Sequence, residues 1–524
     1  MALWKKTENR PMRKKRTTLF WSLILLVYFL AVAVRALSFW FNDRFGVGID
    51  ALIFTLNMPL AGSDAGFMVE AVVSVLLALG GAALLVWMAA LMLRSINRAY
   101  LKITLRVWKW KVVLDTSFLC RWSRSVWWKA GVRLLSMTAA LGLLGLSLRM
   151  AVETLDLENY RIRQSQQTTI YEDYYVDPAE TKVTLEGKPK NLIYIYLESM
   201  ETTYASKDVG GAQEDINYIP NLTRLAQENL FFSDTDRLGG GYQVNGASWT
   251  MGALMSSTSG LPFAFPVRGG AMGEFQTFGS GIYNLGDLLQ EFGYRQVFLC
   301  GSEGMYGGRQ SYFEQHGDYE VQDLYYAREQ GYIAHDYEVW WGYEDRILYD
   351  IAKTELQKLA QGDQPFNYTM LTVDTHHVDG YVCPDCPDTY DHQLGNVLVC
   401  SDRQIMDFIR WCQEQPFYEN TVIVITGDHY RMDASLVEGK ERRLYNCFLN
   451  TDTPVEHSTQ NRIFASMDLF PTTLAAMGFE IEGDRLGLGT NLFSDRATLA
   501  EEKGLAWLDE EAGKSSDYYV ERFS

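Results

Sequence analysis

Four residues, far apart in the chain, carry the donor types of a single hard-cation site. Glu198 follows the apolar run NLIYIYL, and Asp428 and His429 follow TVIVITG. Thr250 lies in RLGGGYQVNGASWTMGALMSSTSGLP (237–262), where a triple-glycine loop gives way to a run of small, helix-compatible residues. Three oxygens and one imidazole form a hard, asymmetric set suited to one divalent cation. Such an ion polarises a hydroxyl and stabilises a phosphoryl transition state. The free N–H groups of a helix starting near Thr250 would bind the same phosphoryl group, with Thr250 as nucleophile. Each residue also has a plainer reading. A strand-end carboxylate caps helices, Gly-Asp-His makes a turn, and Ser248 or Thr250 serves as an ordinary N-cap.

The four residues converge only if their strands run parallel and end at one edge, where open α/β sheets gather ligands. Apolar runs of strand length fall at 191–197, 296–300, 366–372 and 421–426. Helix-like segments at 282–292, 343–359 and 401–414 separate them. This alternation predicts an α/β fold with a mostly parallel sheet flanked by helices. Residues 153–190 read as a linker, 191–500 as the catalytic domain and 501–524 as a polar C-terminal tail.

The front of the chain is a different physical object. Residues 1–150 hold 20 Lys and Arg against 6 Asp and Glu, while the remainder holds 27 against 59. An acidic globular part excludes a nucleic-acid partner, whose phosphates need a basic surface. Apolar runs at 19–41, 67–93 and 132–151 are long enough to cross a bilayer. The stretch 94–130 carries nine basic residues against Asp115 alone, with Trp108, Trp110, Trp122, Trp127 and Trp128 among them. That pattern suits an interfacial amphipathic segment or an additional membrane element, so residues 1–152 are expected to hold three to five spans. The positive-inside rule places 94–130 in the cytoplasm and everything after about 152 outside it. Six of the seven cysteines fall in that exported part. Cys383-Pro-Asp-Cys386 would suit zinc or a redox pair. In an exported domain a disulfide from one of the two to Cys400 is favoured.

Residues 155–495 resemble the exported domain of the lipoteichoic acid synthase and phosphoglycerol transferase family, within the alkaline phosphatase and sulfatase superfamily. The matching stretches are YEDYYVDP (171–178), NLIYIYLESME (191–201), SWTMGALMSSTSGLP (248–262), GGRQSYFEQHG (307–317), VDTHH (373–377), ITGDH (425–429), MDLFPTTL (467–474) and RLGLGTNLF (485–493). The resemblance implies that Glu198, Thr250, Asp428 and His429 hold one Mn²⁺ or Mg²⁺, with Thr250 as nucleophile. It implies that Arg309 grips the phosphoglycerol head, and that His376, with His377 as the competing choice, is the substrate-site histidine. The donor would be phosphatidylglycerol, and the acceptor a glycolipid, a growing polymer or a glucan. The setting would be a bacterial cell membrane, with multi-pass anchoring and an extracytoplasmic catalytic domain. Around 299–302, where lipoteichoic acid synthases place a histidine, this chain has Leu-Cys-Gly-Ser. The run Thr-His-His-Val-Asp-Gly and the nearby cysteines are more similar to the phosphoglycerol transferase I branch.

Three other functions share the scaffold. A sulfatase needs Cys or Ser in a Cys/Ser-x-Pro-x-Arg setting, and 248–252 offers neither the Pro nor the Arg. A phosphoethanolamine transferase favours a zinc site richer in histidine than one holding only His429. An inactive binding protein would have no use for all four ligands. Glu303, placed after a predicted strand, is a weaker substrate contact; His316, His335 and His457 read as surface or turn residues.

Overall fold

A computed structural model describes residues 10–45, 69, 72–84, 87, 102–107, 110–115, 126–265 and 279–524, apart from 377, 434, 452 and 456. The chain divides into two compact units, residues 1–43 with 65–158, and residues 44–64 with 159–524.

In the first unit, Leu19–Trp40 within the helix Arg10–Phe45, and the helix Val126–Thr154, are long and apolar enough to cross a membrane by length and composition. Their leucines stand outward, Leu19, Leu23, Leu26, Leu134 and Leu135 among them. Among the described residues these two helices, and not three to five, meet the criterion. Val72–Leu84 is a shorter apolar helix, and apart from residues 69 and 87 the rest of the expected 67–93 span lies outside the described residues. Within the basic stretch after it, two short strands form. Lys102–Val107 and Trp110–Asp115 pair as an antiparallel hairpin, with Lys102 opposite Asp115. The β-branched residues of KITLRV and WKVVLD favour strands over an amphipathic helix.

The second unit is built on six strands: β1 (Asn191–Leu197), β2 (Arg295–Cys300), β3 (Glu320–Gln322), β4 (Phe366–Leu371), β5 (Thr421–Gly427) and β6 (Asn446–Leu449). Their order across the sheet is β3-β2-β4-β1-β5-β6, all parallel except β6, which pairs antiparallel with β5. Every residue of β1, β4 and β5 is buried. Strands covered on both faces read as continuous apolar runs, which is why these three are visible in the sequence. Side chains alternate between two cores. Tyr194 and Tyr196 enter the one shared with the helices Thr250–Ser259, Leu285–Glu291, Arg309–Gln315 and Leu469–Ala476. Ile193, Ile195 and Leu197 enter the other, with Pro220–Glu228, Asp345–Leu359 and Gln393–Gln413.

Two segments that read as periphery are parts of the body. The expected tail forms helices Leu499–Lys503, Leu505–Ala512 and Asp517–Phe523, and Leu508, Tyr519 and Phe523 are buried. The Tyr519 ring packs on Tyr171, from the expected linker, at 4.8 Å and on Phe265 at 5.1 Å. Its hydroxyl donates to the Pro262 carbonyl at 2.9 Å. Average composition is polar here, but the apolar residues share one helical face. The linker also contributes Val183–Leu185, which pairs with Phe479–Ile481.

Candidate active site

The neighbouring strands β1 and β5 run in register from Asn191 opposite Thr421 to Leu197 opposite Gly427. Each therefore releases its next residue at the same level of the same edge. Gly427 is required at that point: a Cβ there would lie 1.9 Å from the Met200 carbonyl oxygen. The crossing turn holds Ser199 at φ 51°, a left-handed conformation that costs energy for a side-chain-bearing residue. Two bonds hold it there. Its N–H donates to Asp428 Oδ1 at 2.7 Å, and its hydroxyl to Glu198 Oε1 at 2.7 Å. Asp428 Oδ1 also accepts the His429 N–H at 2.8 Å. Thr372 and Thr375, from the loop after β4, bond the backbone of Glu198 on both sides.

Glu198, Asp428 and His429 are 2%, 2% and 0% exposed, and one donor atom from each lies within 4.8 Å of the others. His429 Nδ1 sits 2.8 Å from the Tyr430 carbonyl, so Nδ1 carries a proton and Nε2 is the nitrogen turned inward, the one that would face a bound ion. Nε2 then faces Asp428 Oδ2 at 3.4 Å, Glu198 Oε1 at 3.5 Å and Thr250 Oγ1 at 3.4 Å. Asp428 Oδ2 is buried without a hydrogen-bond partner. Two buried carboxylates beside one imidazole nitrogen are costly unless a proton or a cation sits among them. The residues therefore fit a divalent ion, and hard oxygens with one imidazole suit several such ions.

Electrostatics agree. Burial, together with the nearby Glu198 charge, pushes the Asp428 carboxyl up to about 7. For Glu198 burial acts upward too, but His376, His429 and the Ser199 hydroxyl outweigh it and hold its carboxyl below the usual range. Without an ion the pair thus retains a proton that a cation would displace.

Thr250 is the first residue of the helix Thr250–Ser259. Its N-cap is Trp249, which makes no side-chain capping bond, so neither Ser248 nor Thr250 caps the helix. The first N–H groups lack helical acceptors and give this end positive character. Thr250 Oγ1 stands 3.5 Å from Glu198 Oε2. Gly252 lets the preceding loop close in, since a Cβ would meet the Gly246 carbonyl oxygen at 2.6 Å.

Arg309 starts a helix beyond the carboxyl end of β2 and is buried. Its guanidinium is engaged by its own turn: Nε donates to Tyr306 O at 2.8 Å, and Nη2 to Glu303 O at 2.8 Å and Ser302 Oγ at 3.0 Å. His376 is half-buried in the loop after β4, its ring 4.9 Å from Trp341 and 5.8 Å from Trp340. Its imidazole is among the groups that lower the Glu198 carboxyl. His377 lies outside the described residues. Glu303 accepts a bond from the Tyr325 hydroxyl at 2.7 Å. His316 stands in the turn that ends the helix Arg309–Gln315, but buried and not at the surface, 3.1 Å from Asp287.

Sequence reasoning missed the supports. Asp345, buried at the start of Asp345–Leu359, accepts the N–H groups of Val373 and Asp374 at 2.7 and 3.0 Å, fixing the loop that carries His376. Buried Arg431 donates to the Thr375 carbonyl at 2.9 Å, and its own N–H is held by Glu201. Glu201, in the same LESME segment as Glu198, was the available signal.

A model of the family described as Sulfatase matches residues 190–479. Among curated proteins, the chain is 30% identical over 336 residues to phosphoglycerol transferase I of Salmonella choleraesuis (strain SC-B67), covering 62% of this chain and 41% of that protein. The Citrobacter koseri protein of the same name is 32% identical over 268 residues, covering 50% and 33%. The chain thus spans less than half the length of these relatives. Among solved structures, the lipoteichoic acid synthase LtaP from Listeria monocytogenes aligns with a TM-score of 0.45 at 19% identity, over 59% of this chain and 79% of that one. The integral membrane protein lipooligosaccharide phosphoethanolamine transferase A from Neisseria meningitidis aligns with a TM-score of 0.47 at 15% identity, over 87% and 84%.

Proposed function

The chain belongs to the sulfatase family, and on that premise we propose that it is a membrane-anchored, metal-dependent phosphoglycerol transferase. It moves glycerol phosphate from phosphatidylglycerol to an extracytoplasmic acceptor hydroxyl through a phosphoglyceryl-Thr250 intermediate. The observation that carries this reading is the Thr250 hydroxyl at a helix N-terminus, within 3.5 Å of Glu198 and 3.4 Å of His429. The name of the curated relatives supports the phosphoglycerol group over sulfate.

Glu198, Asp428, His429 and Thr250 would hold the ion, Mn²⁺ by preference and Mg²⁺ as the alternative. When bound, it would supply Lewis-acid polarisation of the threonine hydroxyl and of a phosphoryl oxygen. Thr250 Oγ1, its proton passed to solvent, forms the bond to phosphorus as the bond to the diacylglycerol oxygen breaks, and it leaves in the second half-reaction as the same alkoxide. His376 delivers a proton to that departing oxygen. In the second half-reaction His376 takes the proton of the acceptor hydroxyl, which attacks phosphorus and releases Thr250. The helix N–H groups and Arg309 offset the phosphoryl charge. His377 is an additional substrate contact in this scheme.

The function is tested by diacylglycerol release from labelled phosphatidylglycerol with added Mn²⁺; no release with any divalent ion would refute it. His376→Ala should slow both half-reactions by about 10²- to 10⁴-fold, the usual range for general acid–base groups. Rapid-quench rates with and without acceptor measure the two steps. A loss confined to one of them would remove the shared-proton role.

We place residues 1–152 in the membrane as a multi-pass anchor, 153–190 as its connection and 191–500 outside the cytoplasm as the catalytic domain, with 501–524 completing it. Reporter fusions at 110 and 200 should report opposite compartments, cytoplasmic for the first, because of the Lys and Arg excess in 94–130. The same compartment for both would overturn this topology.

A further inference from the structure

Cys383, Cys386 and Cys400 have no part in the proposed reaction, yet the fold brings them together. Cys383 and Cys386 flank a tight turn closed by the Cys386 N–H donating to the Cys383 carbonyl at 3.0 Å. Cys400 comes from the helix Gln393–Gln413, behind that turn. Cys383 Sγ lies 3.7 Å from Cys400 Sγ and 3.6 Å from Cys386 Sγ, and all three sulfurs lie within 4.8 Å of one another. Among the described residues none of these cysteines is in a disulfide, so the expected bond to Cys400 is not present.

We propose that these three sulfurs form a second metal site, a thiolate clasp for a zinc-class divalent cation, with a donor set unlike that of the carboxylate cage. The spacing is the first argument. Thiolates at ~2.3 Å from a tetrahedral metal stand about 3.8 Å apart, close to the two distances found, whereas a disulfide needs about 2.05 Å. The number of sulfurs is the second. Pairing any two leaves a third thiol beside the bond, and Cys383 and Cys400 are each only 2% exposed. The surroundings are the third. Gln404, one helical turn from Cys400, places Nε2 3.5 Å from both Cys383 Sγ and Cys400 Sγ, and its Oε1 is buried with no partner. Amide O and N are interchangeable by a flip, so Gln404 can either donate to the thiolates or turn its oxygen to the metal as fourth ligand. Arg403 Nη2 reaches Cys400 Sγ at 3.7 Å and the Asp385 carbonyl at 2.5 Å, bringing positive charge to the sulfurs.

Binding is chemically balanced: each thiol coordinates as a thiolate and gives its proton to solvent, with no change of oxidation state. The clasp would tie the loop after β4, which carries His376, to the helix Gln393–Gln413. The Gln393 side chain donating to the Gly380 carbonyl at 2.8 Å links the same two segments.

The test uses the full chain in detergent, purified under mild reduction, with metals counted by plasma mass spectrometry. The variant Glu198→Gln/Asp428→Asn should retain one zinc per chain, and adding Cys400→Ser should remove it. Cobalt loading should give a thiolate-to-metal charge-transfer band in that double variant that is absent from Cys383→Ser. Should the cysteine variants fail to fold, the unsubstituted protein answers the question. Cys383, Cys386 and Cys400 should resist maleimide until a chelator is added and then all three should label. A disulfide among them in protein whose thiols were trapped in the cell, or equal labelling without chelator, overturns the proposal.

Discussion

Thr250→Ala is expected to lower diacylglycerol release by on the order of 10⁵-fold, the scale on which loss of a covalent nucleophile falls. The fold should survive. Thr250 is the first helical residue and not the cap, so no capping bond is lost. Alanine is also the better helix former. The hydroxyl's contacts are long, 3.5 Å to Glu198 and 3.4 Å to His429, so their removal leaves no short bond broken. The melting temperature of the metal-free protein should therefore change by only a few degrees. Thr250→Ser keeps the hydroxyl and should recover a measurable part of the activity. Intact-protein mass spectrometry of the unsubstituted chain, mixed with phosphatidylglycerol and no acceptor, should show one added phosphoglycerol that maps to Thr250. Undiminished turnover in Thr250→Ala would mean that another group attacks phosphorus.

The helix start at Thr250 was legible because three local signals coincide: flexible glycines, a hydroxyl, and a run able to form a helix. Glu198 and Asp428 were legible because β1 and β5 are buried on both faces, so each ends abruptly where the apolar run meets its first charge. The edge strands β3 and β6 were not, being only three and four residues long. Nor were the supports. Ser199, Thr375 and Asp345 act on backbone groups or on the carboxylates themselves, and residues of these types occur throughout the chain. Only the fold shows that the left-handed Ser199 ties Glu198 to Asp428. The packing of the C-terminal helices was not legible for a related reason. Their composition is polar on average, and the burial of Tyr519 depends on Tyr171, some 350 residues earlier.

Asp428→Asn separates what the site costs the fold from what it contributes to catalysis. The substitution keeps the shape and the Oδ1 acceptor for the Ser199 and His429 N–H groups, but removes the charge. Outer-shell changes weaken metal binding by 10- to 100-fold, so losing a direct ligand should weaken it by at least ~10²-fold and take turnover with it. Stability should move the other way in the metal-free protein. The Asp428 carboxyl, raised to about 7 by burial and Glu198, binds its proton more tightly folded than unfolded. Its contribution is therefore most favourable below the ordinary carboxylate range and declines as pH rises from about 4 to about 7. Asparagine carries no such charge, so the metal-free variant should melt higher than the parent at pH 7 and lose less stability across that interval. Added Mn²⁺ should raise the parent's melting temperature, because an ion that binds only the folded state stabilises it by mass action, and should leave the variant unmoved at the same concentration. Thermal melts at pH 5 and pH 7, with and without Mn²⁺, give all four comparisons. A parent that gains nothing from any divalent ion would refute the cage as a metal site, whatever the activity of the variant.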